Sequence, residues 1–134
     1  MKKEFIFGFG IIVLAILSRF LPHPPNFTPL LAVALFGGAI FKNRKLSLAL
    51  LLGSVFISDL ILGLHESMIA VYVCLGLFMY FGTKINRKSG KQVITYSLIS
   101  AIIFFLVTNF TVWAFAGMYD KSFAGLMESY SMGL

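Results

Sequence analysis

Five apolar runs, separated by short polar segments rich in lysine and arginine or in proline, dominate this sequence of 134 residues. They cover approximately residues 4–21, 30–41, 46–64, 68–83 and 93–116. Hydrophobic residues make up 59% of the chain and charged residues 12%, against about 45–50% and about 25% in an average soluble domain. A soluble fold of this length has too much surface to bury so many large apolar side chains. The pattern predicts one all-α domain, residues 1–134, built as a polytopic bundle of transmembrane helices.

The basic residues predict the orientation of these helices. Nine of the eleven lysines and arginines lie in three clusters at the ends of the apolar runs: Lys2, Lys3, Lys42, Arg44, Lys45, Lys84, Arg87, Lys88 and Lys91. Short loops rich in lysine and arginine stay on the cytoplasmic side of a membrane. We therefore expect a multi-pass protein of the bacterial inner membrane with a cytoplasmic N-terminus. No stripe of basic and aromatic residues indicates nucleic-acid binding.

All four prolines lie in the short segment 22–29. Consecutive prolines exclude helix, whereas Thr28 followed by Pro29 is typical of a helix start, with Thr28 as the N-cap. The second apolar run has about a dozen residues, which as a helix cover roughly 18 Å of about 30 Å of hydrocarbon. We expect the proline segment to reach membrane depth, where irregular backbone must be buried in protein or line a wet cavity.

A few polar side chains occur in the predicted outer halves of the runs, where each needs a partner or a function. We interpret Asn26, Thr28, Asp59, Asn109 and Trp113 as the lining of an outward-facing pocket for a small molecule, with Asp59 and Asn109 orienting the ligand. The alternatives are structural. Asp59 and Asn109 can join helices by hydrogen bonds, Thr28 can be a cap, and Trp113 can belong to the aromatic belt at the membrane interface.

Small residues recur at a spacing of four in the second and third runs. Ala34 and Gly38 form one such pair, and Ser54 and Ser58 form another. This spacing lets helix backbones approach closely. Packing inside the bundle is one interpretation, and an interface with a partner protein is the other.

The sequence contains no convincing motif for catalysis, a cofactor or a metal. Ser58, Asp59 and His65 are residue types of a hydrolase triad, but Ser58 and Asp59 are neighbours that point to different faces of a helix. His23 and His65 are isolated, which leaves a metal site without ligands. Phosphate-binding loops and dinucleotide fingerprints are absent. We predict neither an enzyme nor a cofactor site.

The last 18 residues, 117–134, are only weakly amphipathic. Five spans with a cytoplasmic N-terminus place this tail on the outer side. We expect a sixth span that this sequence does not contain.

The stretch 18–41 carries a recognisable pattern: Arg19, then Leu21-Pro22, then Asn26-Phe27-Thr28-Pro29, then Leu35-Phe36-Gly37-Gly38. It resembles the opening of an uncharacterised family of bacterial membrane proteins, a domain of unknown function. That family is in turn similar to the substrate-binding S components of energy-coupling factor (ECF) transporters. These six-helix proteins bind vitamins or related micronutrients from outside and dock on a transmembrane coupling protein driven by two ATPases.

The resemblance implies a subunit of a micronutrient importer. Its partners would be the lipid bilayer, a small-molecule micronutrient, and the ECF coupling protein with its ATPases. One departure concerns docking, because the Ala-xxx-Ala motif of the first helix is absent: Ala15 is followed four residues later by Arg19. The alternative function is a structural or assembly protein of the membrane without a ligand.

Overall fold

A computed structural model describes residues 2–22 and 29–134, with Glu4 described only as backbone. Within these residues the fold is all-α, as predicted, and contains no strand. The helices are α1 (Lys2–Ser18), α2 (Leu30–Ile40), α3 (Arg44–Leu62), α4 (Met68–Gly82), α5 (Gly90–Phe115) and α6 (Phe123–Met132).

α3 and α5 begin before their apolar runs because polar side chains cap their first turns. The Asn43 side chain accepts a hydrogen bond from the Leu46 amide at 3.1 Å, so α3 begins before the apolar residues do. Ser89 caps α5 in the same way. Pro29 precedes the first residue of α2 instead of occupying it, and its carbonyl accepts from the Val33 amide at 3.0 Å. α1 ends three residues earlier than predicted, and a turn follows it.

The tail forms a sixth helix that the sequence analysis did not place within the chain. α6 has ten residues and a length of about 15 Å. Its buried residues are Gly125 and Ser129, so its packing face is made of small residues. Residues 123–132 therefore lack the hydrophobic periodicity of a longer apolar face, which would have predicted a helix.

The short helix α2 lies at the centre of the fold and contacts α1, α3, α4 and α5. Its closest neighbour is α4. A Cβ atom added at Gly38 would lie 1.8 Å from the Met79 carbonyl oxygen, and one added at Gly82 would lie 2.0 Å from the Leu35 carbonyl oxygen. Glycine on both helices thus permits direct backbone contact, the role that small residues have in tightly packed helix pairs.

In the part of the chain that the structure describes, two helices, Arg44–Leu62 and Gly90–Phe115, are long and apolar enough to cross a membrane. Only 28% and 22% of their most apolar windows are buried inside the fold, which is unlike the core helix of a soluble protein. The segments Phe5–Ser18, Leu30–Ile40 and Met68–Gly82 are apolar but shorter. Large exposed side chains such as Ile61 and Phe115 add to an apolar surface. Length and composition thus favour association with a membrane.

Candidate functional site

The end of α1, the end of α3 and the start of α4 meet at one end of the fold. α1 ends at Ser18, whose hydroxyl donates to the Ala15 carbonyl at 2.6 Å, and Arg19 follows in a hydrogen-bonded turn. α3 ends at Leu62, and the next residue, Gly63, has a φ of 107°, a backbone conformation that favours glycine. The five residues 63–67 lead into α4 and place Tyr72 just after its first turn.

The buried Asp59 is the centre of a partly buried hydrogen-bond network at this end. The Arg19 Nη2 donates to Asp59 Oδ1 at 2.5 Å, and the Tyr72 hydroxyl donates to Asp59 Oδ2 at 2.6 Å. The Arg19 Nη1 donates to the Ser58 hydroxyl at 2.5 Å and to the Val55 carbonyl at 3.3 Å. We refer to Arg19, Ser58, Asp59 and Tyr72 as the polar cluster. Both carboxylate oxygens of Asp59 accept a hydrogen bond within it.

The members of the polar cluster differ in their access to the surface. The Asp59 side chain is 1% exposed, whereas the Arg19 side chain is 16% exposed. His65 lies at the edge of the cluster, with its Nε2 3.8 Å from Asp59 Oδ1 and its side chain 38% exposed. A carboxylate buried this deeply is stabilised by its ion pair and hydrogen bonds, and it would be strongly destabilising without them. Arg19 and His65 are therefore closer to the surface than the carboxylate that they face.

This arrangement of side chains is suited to two roles, the binding of an anionic solute and the joining of helices. A planar guanidinium can bind a carboxylate or a phosphate through two nitrogens at once, so the partly exposed Arg19 can bind a solute with such a group while it keeps its bond to Asp59. Without a solute, the same contacts join α1, α3 and α4 through a fully hydrogen-bonded ion pair.

Asn109 and Trp113 lie in a different part of the fold from Asp59. The Asn109 side chain donates to the Phe105 carbonyl of its own helix at 2.8 Å, and its backbone carbonyl accepts from the Ser129 hydroxyl at 2.9 Å. Within the described ranges α3 and α5 do not contact each other. The structure therefore does not bring Asn109 into contact with Asp59, and it places Asn109 under α6.

Trp113 helps to close the turn between α5 and α6. Its indole Nε1 donates to the Asp120 carbonyl at 2.9 Å. Lys121 donates through its Nζ to the carbonyls of Trp113 and Ala114, and the ammonium lies 5.6 Å from the centre of the indole ring. These contacts hold the end of α5 against the start of α6.

The small residues singled out in the sequence have different surroundings. Ala34 is fully buried and Gly38 contacts α4. The Ser54 hydroxyl donates to the Leu50 carbonyl of its own helix, and Ser58 belongs to the polar cluster. Asn26 and Thr28 lie outside the described residues.

Sequence reasoning did not identify Arg19 and Tyr72 as site residues. A signal for Arg19 was available, because a charged side chain at the end of an apolar run needs a partner. Asp59 was the candidate carboxylate on the same predicted side of the membrane. Tyr72 carried no comparable signal, since tyrosine is common at membrane interfaces.

A family model described as "Family of unknown function (DUF6580)" matches residues 1–134. No curated protein and no solved structure matches the chain. The family description names neither a transporter nor a ligand.

Proposed function

Because the chain belongs to the DUF6580 family, whose function is unknown, we propose a function from the chain's own residues. The chain is proposed to be an integral membrane protein that binds a small solute at the polar cluster. It acts as the substrate-binding subunit of a micronutrient importer, similar to the S components of ECF transporters.

The distribution of charge along three helices supports the membrane orientation. α1 has Lys2 and Lys3 at its start and the polar-cluster residue Arg19 just after its end. The same separation holds for α3, which begins at Arg44 and carries Asp59 in its last turn. In α4 the order is reversed, with Tyr72 near the start and Lys84 just after the end. With the basic ends in the cytoplasm, the polar cluster faces outward.

The single observation that carries the proposal is the Arg19–Asp59 pair itself. An ionisable residue inside a membrane bundle is costly, and such residues mark binding sites and transport pathways. Arg19, and His65 at the edge of the cluster, are both more exposed than Asp59. A solute that carries a carboxylate or a phosphate would therefore meet donors first. We propose that its anionic group binds the Arg19 guanidinium beside Asp59, which keeps its ion pair.

Two features of the sequence also support the importer role: it lacks a nucleotide-binding motif, and it resembles the S components. The chain has no nucleotide-binding motif, so a partner must supply the energy for uptake. The six helices found among the described residues agree in number with the S components that the chain resembles. A transmembrane coupling protein with two ATPases is the partner that this resemblance implies.

The test is the identification of small molecules that co-purify with the protein. Wild type, Arg19→Gln and Asp59→Asn are purified in detergent from cells grown in rich medium, and bound solutes are identified by mass spectrometry. Glu128→Gln is the matched control, because Glu128 is an exposed carboxylate on α6. We expect one solute on wild type and the control, and at least tenfold less on Arg19→Gln.

Two outcomes would contradict solute binding at the polar cluster. One is a wild-type protein that carries no solute. The other is a solute that Arg19→Gln retains at the wild-type level. Size-exclusion chromatography of every variant shows whether a lost solute reflects a lost fold instead of a lost contact.

A second candidate function is a structural or assembly protein of the membrane, and one observation favours it. Both Asp59 oxygens already accept hydrogen bonds within the chain, so the cluster is complete without a solute. On this alternative no variant carries a small molecule. The exchanged pair Arg19→Asp with Asp59→Arg then keeps the protein bound to the partner protein that it assembles with, whereas a bulky residue at Gly38, which packs on α4, disrupts the fold and that complex together.

A further inference from the structure

A groove of about 370 Å³ lies where the start of α1 meets the end of α2 and the start of α3. Its apolar walls are Phe5, Ile40, Phe41 and Leu46. The rings of Phe5 and Phe41 meet edge to face, with their centroids 6.4 Å apart. Phe41 fits there because its ring lies directly over Gly8, which has no side chain to displace it.

The rim of the same groove is basic. Lys2 and Lys42 line it, and both are exposed. Asn43, which also lines the groove, caps the start of α3, and the positive end of the helix dipole lies at that point. The groove therefore combines an apolar floor with two ammonium groups at its mouth.

We propose that this groove binds an anionic phospholipid of the cytoplasmic leaflet. One acyl chain lies along Phe5, Phe41 and Leu46, and the phosphate lies between the ammonium groups of Lys2 and Lys42. This end of the fold carries the basic clusters, and the cytoplasmic leaflet carries the anionic lipids that attract such clusters. A second copy of the chain is a poorer occupant, because a two-fold interface would bring two basic rims together.

The lipid site rests on the membrane placement in the proposed function and not on solute binding. A membrane-integrated protein that retains lipid but no solute would contradict solute binding and leave the lipid site standing. A protein recovered entirely from the soluble fraction would contradict both.

The test is native mass spectrometry of the full chain in detergent with added phosphatidylglycerol or phosphatidylcholine of identical acyl chains. We expect wild type to bind phosphatidylglycerol in preference to phosphatidylcholine. Lys2→Gln with Lys42→Gln should bind phosphatidylglycerol about 30-fold more weakly, as expected for two lost lysine contacts at a membrane surface. Lys2→Arg with Lys42→Arg should retain it.

Two further variants separate the groove from general surface charge. Lys45→Gln with Lys88→Gln removes the same charge from exposed positions that do not line the groove, and it should bind phosphatidylglycerol as wild type does. Leu46→Trp fills the groove and should weaken binding of both lipids.

Three outcomes would overturn the lipid site. One is equal binding of both lipids by wild type, and another is an equal loss in the Lys45 and Lys88 control. The third is a lipid-free dimer of wild type that Leu46→Trp abolishes, which would identify a second copy as the occupant.

Discussion

Arg19 and Asp59, forty positions apart in the chain, form a hydrogen-bonded ion pair of 2.5 Å that joins the turn after α1 to the last turn of α3. The Tyr72 hydroxyl donates to Asp59 Oδ2 and so joins α4 to the same pair. Three helices are thus held together at the end of the fold that lies away from the basic clusters. This relationship makes the pair both the candidate binding site and a structural element, and the predictions below separate the two roles.

Removing one partner of the pair should destabilise the fold more than removing both. Arg19→Leu leaves the Asp59 carboxylate buried without its cation, which we expect to cost about 3–5 kcal/mol. Arg19→Leu with Asp59→Leu removes both charges and should be more stable than Arg19→Leu alone. Denaturant unfolding in detergent measures these free energies. Destabilisation that simply adds in the double variant would show that the two side chains are not coupled.

Tyr72→Phe should destabilise the fold, because it removes a hydrogen bond to a charged acceptor. The expected loss in the free energy of unfolding is about 1.5–3 kcal/mol. Tyr80→Phe is the matched control on the same helix, since the Tyr80 side chain is exposed and its ring contact with Lys84 survives the change. Equal unfolding free energies for the two variants would contradict the Tyr72–Asp59 hydrogen bond.

Gly38→Ala should separate α2 from α4. Its new Cβ would lie 1.8 Å from the Met79 carbonyl oxygen, and overpacking of this kind costs about 1–3 kcal/mol. Gly53→Ala is the control, because nothing lies within 4 Å of its new Cβ and alanine favours helix by up to about 1 kcal/mol. Thermal unfolding in detergent should give a lower midpoint for Gly38→Ala only. The contact would be refuted by a Gly38→Ala midpoint at or above that of wild type.

Ser129→Ala should loosen α6 from α5. The variant loses the hydrogen bond from the Ser129 hydroxyl to the Asn109 carbonyl, which we expect to cost about 1 kcal/mol. Ser131→Ala is the matched control, because the Ser131 hydroxyl donates within its own helix to Met127. Hydrogen exchange of residues 123–132 should be faster in Ser129→Ala than in Ser131→Ala. Identical exchange would mean that Ser129 does not hold α6.

Most of the helical fold could be predicted from the apolar runs, since α1 to α5 each coincide with one of them. The first and last residues of the helices were less predictable from the sequence. Asn43 and Ser89 lie outside the apolar runs, and they begin helices through hydrogen bonds that hydrophobicity does not report. α6 was missed because its packing face consists of Gly125 and Ser129, which give little hydrophobic periodicity.

The candidate site was less predictable, because it depends on contacts between distant segments. The cost of a buried carboxylate identified Asp59, but the sequence did not indicate which residue would neutralise it. Arg19 is forty positions away, and no periodicity connects the two. Asn109 was expected near Asp59, yet its side-chain amide bonds the Phe105 carbonyl one turn earlier in its own helix. The carbonyl one turn earlier is a local acceptor for a short helical side chain that carries a donor, as Asn109 does and Asp59 does not.

The most direct test of the membrane-embedded, outward-facing polar cluster is cysteine labelling in intact bacterial cells. Cys74 is the only native cysteine and is 2% exposed, so wild type is an unlabelled background. Glu66→Cys probes the exposed turn beside the polar cluster, and Lys88→Cys probes the exposed basic loop before α5. We expect a membrane-impermeant maleimide to label Glu66→Cys in intact cells and Lys88→Cys only after permeabilisation. Labelling of Lys88→Cys but not Glu66→Cys in intact cells would contradict the proposed orientation and remove the outward-facing site.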